Sequence, residues 1–193
     1  MVAPSAYDDE LWELVPEDPP SPPEHLVEFV HGLSARRALV LGCGDGRLTS
    51  ELRAAQVVGA DVSEVALERA RGRLPGVELQ ALSPGEVLPY RDSDFDLVLC
   101  AETLEHVQDV QWLLSEVRRV LEPRGRFAVT TPAHGRLTGL DVLVRGFERR
   151  FEPFSPHLRF FTARSLASAL DATGFDLVSL RHSEGTLLAL ATR

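Results

Sequence analysis

Three alternate glycines closing a short, wholly apolar run constrain this chain more than any other feature. Ala38 to Leu41 is followed by Gly42-Cys43-Gly44-Asp45-Gly46. The apolar run reads as a strand buried on both faces, as in a parallel sheet. Glycines placed directly after it let the backbone pass close to a ligand without side-chain clash. A following helix, with Leu48 and Leu52 on its inner face, would present free amides there. The dinucleotide fingerprint needs glycine at its sixth position, and here that position is Arg47, which disfavours nicotinamide-dependent reduction. A P-loop is excluded because the chain contains no lysine. Asp61 lies fifteen residues beyond Gly46, at the end of a second strand-like run from Val57. A carboxylate in that place can accept both hydroxyls of a ribose.

Strand and helix patterns then alternate. Pro16 to Pro23 holds five prolines in eight residues, which suits an extended linker. A helix is expected to start at Ser21 as N-cap, with Pro22 first and Glu24 closing a capping box; Leu26, Phe29, Val30 and Leu33 give its apolar stripe. Ser63 caps a helix carrying Val65, Leu67, Ala70 and Leu74. Val77 to Ala81 and Phe95 to Ala101 read as the third and fourth strands. Val110, Leu113, Leu114, Val117, Val120 and Leu121 follow a helical period, and Arg126 to Thr131 forms a fifth strand. A helix over Thr162 to Thr173 stops at Gly174. Phe175 to Leu180 and Thr186 to Ala191 close the chain as an antiparallel hairpin. Such repetition implies a mostly parallel sheet with helices on both faces.

The residues Leu41-Gly42-Cys43-Gly44-Asp45-Gly46, Gly59-Ala60-Asp61-Val62-Ser63, Phe95-Asp96-Leu97-Val98 and Glu102-Thr103-Leu104-Glu105-His106-Val107 resemble the successive motifs of class I, Rossmann-like methyltransferases. The likeness runs from about residue 24 to 193. It implies an α/β fold with a seven-stranded sheet in the order 3-2-1-4-5-7-6, strand 7 antiparallel. It also implies S-adenosylmethionine as cofactor, with S-adenosylhomocysteine as product. On that likeness Gly42, Cys43, Gly44 and Gly46 border the aminoacyl part and Asp61 the ribose. Val62, Leu82 and Ser83 flank the adenine, and Ala101 lies beneath it. The chain departs from the family in two places. Val40 stands where an acid is usual, and Ser83-Pro84-Gly85-Glu86 stands where Asp-Ala is usual before a Leu-Pro pair.

Methyl transfer from a sulfonium needs alignment and a dry pocket more than covalent chemistry. A base helps when the acceptor is a hydroxyl or a protonated amine. His106 is the candidate, with a purely structural role as the alternative. Glu102, Glu105, His106 and His157 also resemble the metal-binding set of small-RNA 2′-O-methyltransferases and of metal-assisted quinone O-methyltransferases, although the expectation here is no metal. The stretch 131–161 is expected to recognise the acceptor through Phe147, Phe151, Phe154, Phe160 and Phe161, or simply to pack those rings on the sheet. Residues 1–23 form an acidic, proline-rich segment in which Tyr7 and Trp12 suit either a lid or an unpacked tail.

Charge and composition narrow the partners. The net charge of −9 disfavours nucleic acid. Seven acids and no bases lie between Met1 and Glu24, whereas ten arginines against four acids lie between Arg118 and Arg164. Those arginines are either a solvated face or, through Arg145, Arg149 or Arg159, a hold on an anionic substrate. Cys43 and Cys100 have no metal-type spacing and read as reduced thiols. With no apolar start and no run long enough to span a membrane, a cytoplasmic protein is expected. The expected function is methyl transfer to oxygen or nitrogen of a small molecule. The alternatives are a metal-assisted RNA 2′-O-methyltransferase-like enzyme and a non-catalytic binding module on the same fold. No feature specifies an oligomeric state.

Overall fold

The parity of buried residues along the strands builds the domain. In β1 (Ser34–Leu41), Leu39 and Leu41 join one apolar cluster while Ala38 and Val40 join another. In β4 (Phe95–Ala101), Val98 and Cys100 fall on the first side, Leu97 and Leu99 on the second. Successive side chains of a strand point to opposite faces, so these strands are covered on both. The first face packs against α4 (Val110–Val120) and α5 (Ala163–Ala172), through Leu113, Leu114, Val117, Leu166 and Leu170. The second packs against α2 (Glu24–His31) through Leu26, Phe29 and Val30, with Leu67 of α3 (Glu64–Arg73).

This computed structural model describes residues 6–135 and 157–193, with Thr138, Val144 and Gly146 between them. The remaining elements are α1 (Ala6–Leu14), β2 (Arg53–Asp61), β3 (Glu78–Ala81), β5 (Leu121–Pro132), β6 (Asp176–Ser183) and β7 (Thr186–Thr192). They complete one seven-stranded sheet, β3-β2-β1-β4-β5-β7-β6, the order expected above. Strands β1 to β5 run parallel where they pair, and β7 lies antiparallel to both β5 and β6. Among the described residues no helix is long and apolar enough to cross a membrane.

Several local expectations need correction. The helix after β1 is absent: Thr49–Glu51 form only a 3-10 turn, and β2 already begins at Arg53. Six residues between Gly46 and Arg53 leave no room for an ordinary helix. β1 starts four residues earlier than its apolar run, because its exposed half, Ser34 to Arg37, pairs with the equally polar Arg53 to Gln56. α2 starts at Glu24 with Pro23 as its extended N-cap and no side-chain cap. Ser21 and Pro22 each precede a proline, and that neighbour biases them away from helical backbone. The cap expected at Ser63 forms, and Asp109 and Thr162 cap α4 and α5 in the same way, each side chain accepting from a backbone N–H three residues on.

Candidate cofactor-binding and active site

The carboxyl ends of β1, β2, β4 and β5 meet along one edge of the sheet, which is where ligands bind in open α/β folds. The glycine loop leaves β1 with positive φ at Gly42, Gly44 and Gly46 (+67°, +54° and +85°). What these glycines make room for is protein. A Cβ on Gly42 would overlap the Thr103 side chain, one on Gly44 would lie 2.8 Å from the Trp12 ring, and one on Gly46 2.6 Å from Leu74. At each of the three positions the missing side chain lets the chain pack closely on itself. The loop amides are also occupied, with Gly42 and Cys43 N–H donating to the Ala60 carbonyl and Gly46 N–H to that of Cys43.

Asp61 holds the loop to β2. Its Oδ2 accepts from Gly44 N–H (2.8 Å) and its Oδ1 from Ser63 N–H (3.0 Å), and only 7% of the residue is exposed. Burial pushes its pKa up, opposed by those amide hydrogen bonds. Beside it opens a cleft of about 380 Å³ lined by Val62, Glu64, Ala81, Leu82, Ser83, Pro84 and Glu86. The residues expected at adenine, Val62, Leu82 and Ser83, are thus brought together. Leu82 N–H donates to the Asp61 main-chain carbonyl, which ties the loop after β3 to the end of β2. Ala101 stands at the end of β4, its carbonyl accepting from Thr103 Oγ1 (2.9 Å). Cys43 is buried against Gly59, and its thiol is pushed up to about 12 by burial and then by the Asp61 charge. It stays protonated at neutral pH and serves as wall.

Sequence reasoning left Tyr7 and Trp12 between lid and tail; residues 6–14 are a helix laid across this site. Asp9 Oδ1 accepts from Ser63 Oγ (2.7 Å) and Val65 N–H (3.3 Å), at the N-terminus of α3. One turn later the Trp12 ring sits on Gly44. Arg69 of α3 stacks over Trp12 at 5.9 Å from the ring centroid and donates to the Val15 carbonyl (2.9 Å). Arg47 donates to the Pro20 carbonyl and pins the proline linker. Asp9 went unnoticed because its partners are 54 and 56 positions away. The only available signal was an acid three residues before a tryptophan.

The other end of the site follows β4. Glu102, at φ +50°, accepts from Thr130 Oγ1 (2.8 Å). Leu104–His106 form a 3-10 turn. Glu105 is 1% exposed, and its Oε2 accepts from Thr131 Oγ1 (3.0 Å). Its carbonyl accepts from Leu158 and Arg159 N–H (2.8 and 3.0 Å), tying the returning chain to the loop. Its Oε1 lies 3.9 Å from His106 Nε2, and the His106 and His157 rings meet edge to face at 4.9 Å. Burial, and then the Glu102 charge, push the Glu105 pKa up to about 7, while burial depresses that of His157. Donor atoms of Glu105, His106 and His157 lie within 4.8 Å of one another; Glu102 is not in that cluster. The donors fit a divalent ion, but Thr131 already uses one Glu105 oxygen. Arg159 is turned to the carbonyls of Gln108 and Leu158 rather than toward an anion. Phe161 is buried in the core, whereas Phe160 is exposed against His134. Phe147, Phe151, Phe154, Arg145 and Arg149 lie outside the described residues.

Residues 39–129 match the family described as a methyltransferase domain. A protein of Mycolicibacterium smegmatis, named as a probable S-adenosylmethionine-dependent methyltransferase, is 33% identical over 163 residues, covering 81% of this chain and 60% of that one. A ubiquinone biosynthesis O-methyltransferase of Alkalilimnicola ehrlichii is 35% identical over 114 residues, 56% of this chain and 46% of its own. The chain spans between about half and three fifths of the length of these relatives. Among solved structures, an S-adenosylmethionine-dependent methyltransferase of Mesorhizobium loti superposes with a TM-score of 0.66 at 22% identity, over 88% of this chain and 96% of that one. Sheet order and these matches together give the chain the fold of the class I S-adenosylmethionine-dependent methyltransferases, with a methyltransferase domain matched over residues 39–129.

Proposed function

We propose that the chain transfers the methyl group of S-adenosylmethionine to an oxygen or nitrogen of a small-molecule acceptor, with His106 as general base. The observation that carries this reading is the two-ended site. The adenine-side cleft and Asp61 lie at one end, and the Glu105–His106–His157 cluster follows β4 at the other. Asp61 would take the ribose, Val62, Leu82 and Ser83 the adenine, and the loop from Gly42 to Gly46 the aminoacyl part, above Ala101. The cofactor supplies an activated methyl group. The protein supplies alignment and exclusion of water, and α1 acts as a lid over the glycine loop. The stretch 131–161 is assigned to acceptor recognition. The O-methyltransferase relative supports oxygen as one acceptor atom, and the net charge of −9 favours a small molecule over RNA.

Transfer of label from methyl-labelled S-adenosylmethionine to a panel of phenols, hydroxy acids and amines, run beside RNA, tests the reading. Label on a small molecule supports it. Label on RNA alone replaces the acceptor class. Tight S-adenosylhomocysteine binding without transfer to any acceptor makes the chain a binding module. The clustering of Glu105, His106 and His157 favours one second reading, in which a divalent ion there polarises an acceptor oxygen. Loss of turnover on strong chelation, restored by added metal, would select it over the base.

A further inference from the structure

The turn after β4 is held from two sides in a backbone conformation that it would not keep unaided. Glu102 has φ +50°, a left-handed backbone that a non-glycine residue retains only where its surroundings over-determine it. On the β5 side the hold is Thr130, which is fully buried. The Thr130 carbonyl accepts from Glu102 N–H (3.0 Å), and its hydroxyl donates to Glu102 Oε1 (2.8 Å).

On the β1 side the hold is Thr103. Its hydroxyl donates to the Ala101 carbonyl (2.9 Å), with the Leu41 carbonyl next nearest at 3.4 Å. Its Oγ1, Cγ2 and Cβ fill the place where a side chain on Gly42 would stand. The side chain thus meets the ends of β1 and β4 and the first glycine of the loop. The Thr103 carbonyl accepts from His106 N–H (3.0 Å), the bond that closes the 3-10 turn Leu104–His106. Leu104 and Glu105 anchor that turn in the interior, whereas the His106 side chain is 36% exposed. One residue therefore joins the glycine loop to the turn that carries the histidine. Threonine suits the place because a β-branched side chain is stiff, so its hydroxyl bond and its fit against Gly42 select one rotamer together.

We propose that Thr103 is a positioning residue for methyl transfer, which through its hydroxyl fixes the His106 turn against the glycine loop. The inference rests on the reading above, in which the loop borders the cofactor and His106 takes the acceptor proton. A misplacement of about 1 Å can cost an aligned reaction about a hundredfold in rate, so the residue that ties the two halves together sets the geometry.

Nuclear magnetic resonance of the full chain with isotope-labelled histidine tests this. The His106 and His157 rings meet edge to face at 4.9 Å between centroids, so a through-space cross-peak between them reports where the turn places His106. Thr103→Val keeps the branched shape against Gly42 and removes the hydroxyl, whereas Thr103→Ser keeps the hydroxyl and removes the methyl. The cross-peak should disappear in Thr103→Val and persist in Thr103→Ser. Calorimetry should find both variants within about threefold of wild type in S-adenosylhomocysteine affinity. A cross-peak kept in the valine variant, or lost in the serine variant, would overturn the assignment and reduce Thr103 to a filler of the space beside Gly42. A larger loss of S-adenosylhomocysteine affinity in Thr103→Val would also overturn it, by placing the residue in cofactor binding. Wild-type protein that does not bind S-adenosylhomocysteine would instead overturn the cofactor placement, and with it the link from this turn to methyl transfer.

Discussion

The indole of Trp12 and the backbone of Gly44 are in direct contact, so closely that a Cβ on the glycine would lie 2.8 Å from Cζ2 of the ring. The glycine loop and the N-terminal helix are therefore one packed unit. Gly44→Ala meets two penalties: a φ of +54°, which an L side chain adopts only with strain, and the indole itself. A loss of about 1–3 kcal/mol in urea unfolding is expected. Trp12→Ala in the same chain should recover the steric part and leave the backbone part. Strict additivity of the two substitutions would show that the ring does not rest on the loop.

Glu105 sets a pH dependence whose sign follows from its burial. Its pKa rises from an ordinary 4.5 to about 7 on folding, so the folded state holds the proton more tightly. Stability contributed by the protonated carboxyl is present below pH 4.5 and lost as pH rises toward 7. At 1.36 kcal/mol per pKa unit the loss is bounded at roughly 3 kcal/mol. His157 works the other way, since its depressed pKa costs stability as pH falls below its ordinary 6.5. The comparison is therefore wild type against Glu105→Gln, which keeps an acceptor for Thr131 but no titration. The variant should gain on wild type between pH 5 and 7 in urea midpoints. An unchanged difference across that range would mean the carboxyl is solvated.

Most of the sheet was legible in the sequence because its central strands are covered on both faces. Phe95 to Ala101 is apolar but for Asp96, and Asp96 is satisfied by Arg36 and Arg37 N–H at the polar entrance of β1. The exposed entrances of β1 and β2 were not legible, since Ser34 to Arg37 and Arg53 to Gln56 pair through backbone and one side-chain hydrogen bond, Arg37 to Gln56, without an apolar pattern to announce them. Asp61 was read from its place at a strand end, and Val62, Leu82 and Ser83, which line one cleft, from the family resemblance. The roles of Thr103 and Asp9 were not, because each depends on a partner far along the chain. Thr103 fills the space beside Gly42, and nothing in Glu102-Thr103-Leu104 announces that contact.

The Leu88-Pro89-Tyr90 loop is held to α4 by one arginine. Arg119 donates to both Glu116 oxygens (2.9 and 2.7 Å), to the carbonyls of Leu88 and Tyr90 (3.0 and 2.8 Å) and to Asp92 (2.9 Å). Glu116 in turn accepts from Leu88 N–H (2.9 Å). Lysine keeps the charge but cannot fork in a plane. Arg119→Lys should cost about 1–3 kcal/mol and lower Tm by several degrees in a scan at pH 7. A Tm within about one degree of wild type would show that the loop holds by its apolar contacts alone.

His106 separates catalysis from cofactor binding. It lies in the turn after β4, apart from the Asp61 cleft and beside Glu105 and His157. If it takes the acceptor proton, His106→Ala should lower kcat by about 10²–10⁴-fold. The affinity for S-adenosylhomocysteine should stay within about twofold, since neither the cleft residues nor Asp61 touches that ring in the contacts above. Added imidazole should restore part of the rate in the alanine variant, which a collapsed loop would not allow. Chelation leaves the wild-type rate unchanged in this case, because the proton moves to a ring nitrogen and no ion polarises the oxygen. Full turnover by His106→Ala across pH 6–9 would remove the base and leave alignment alone to account for the rate. That outcome suits an acceptor already deprotonated in solution, so the same variant tested on a phenol and on a more basic aliphatic alcohol tells the two cases apart.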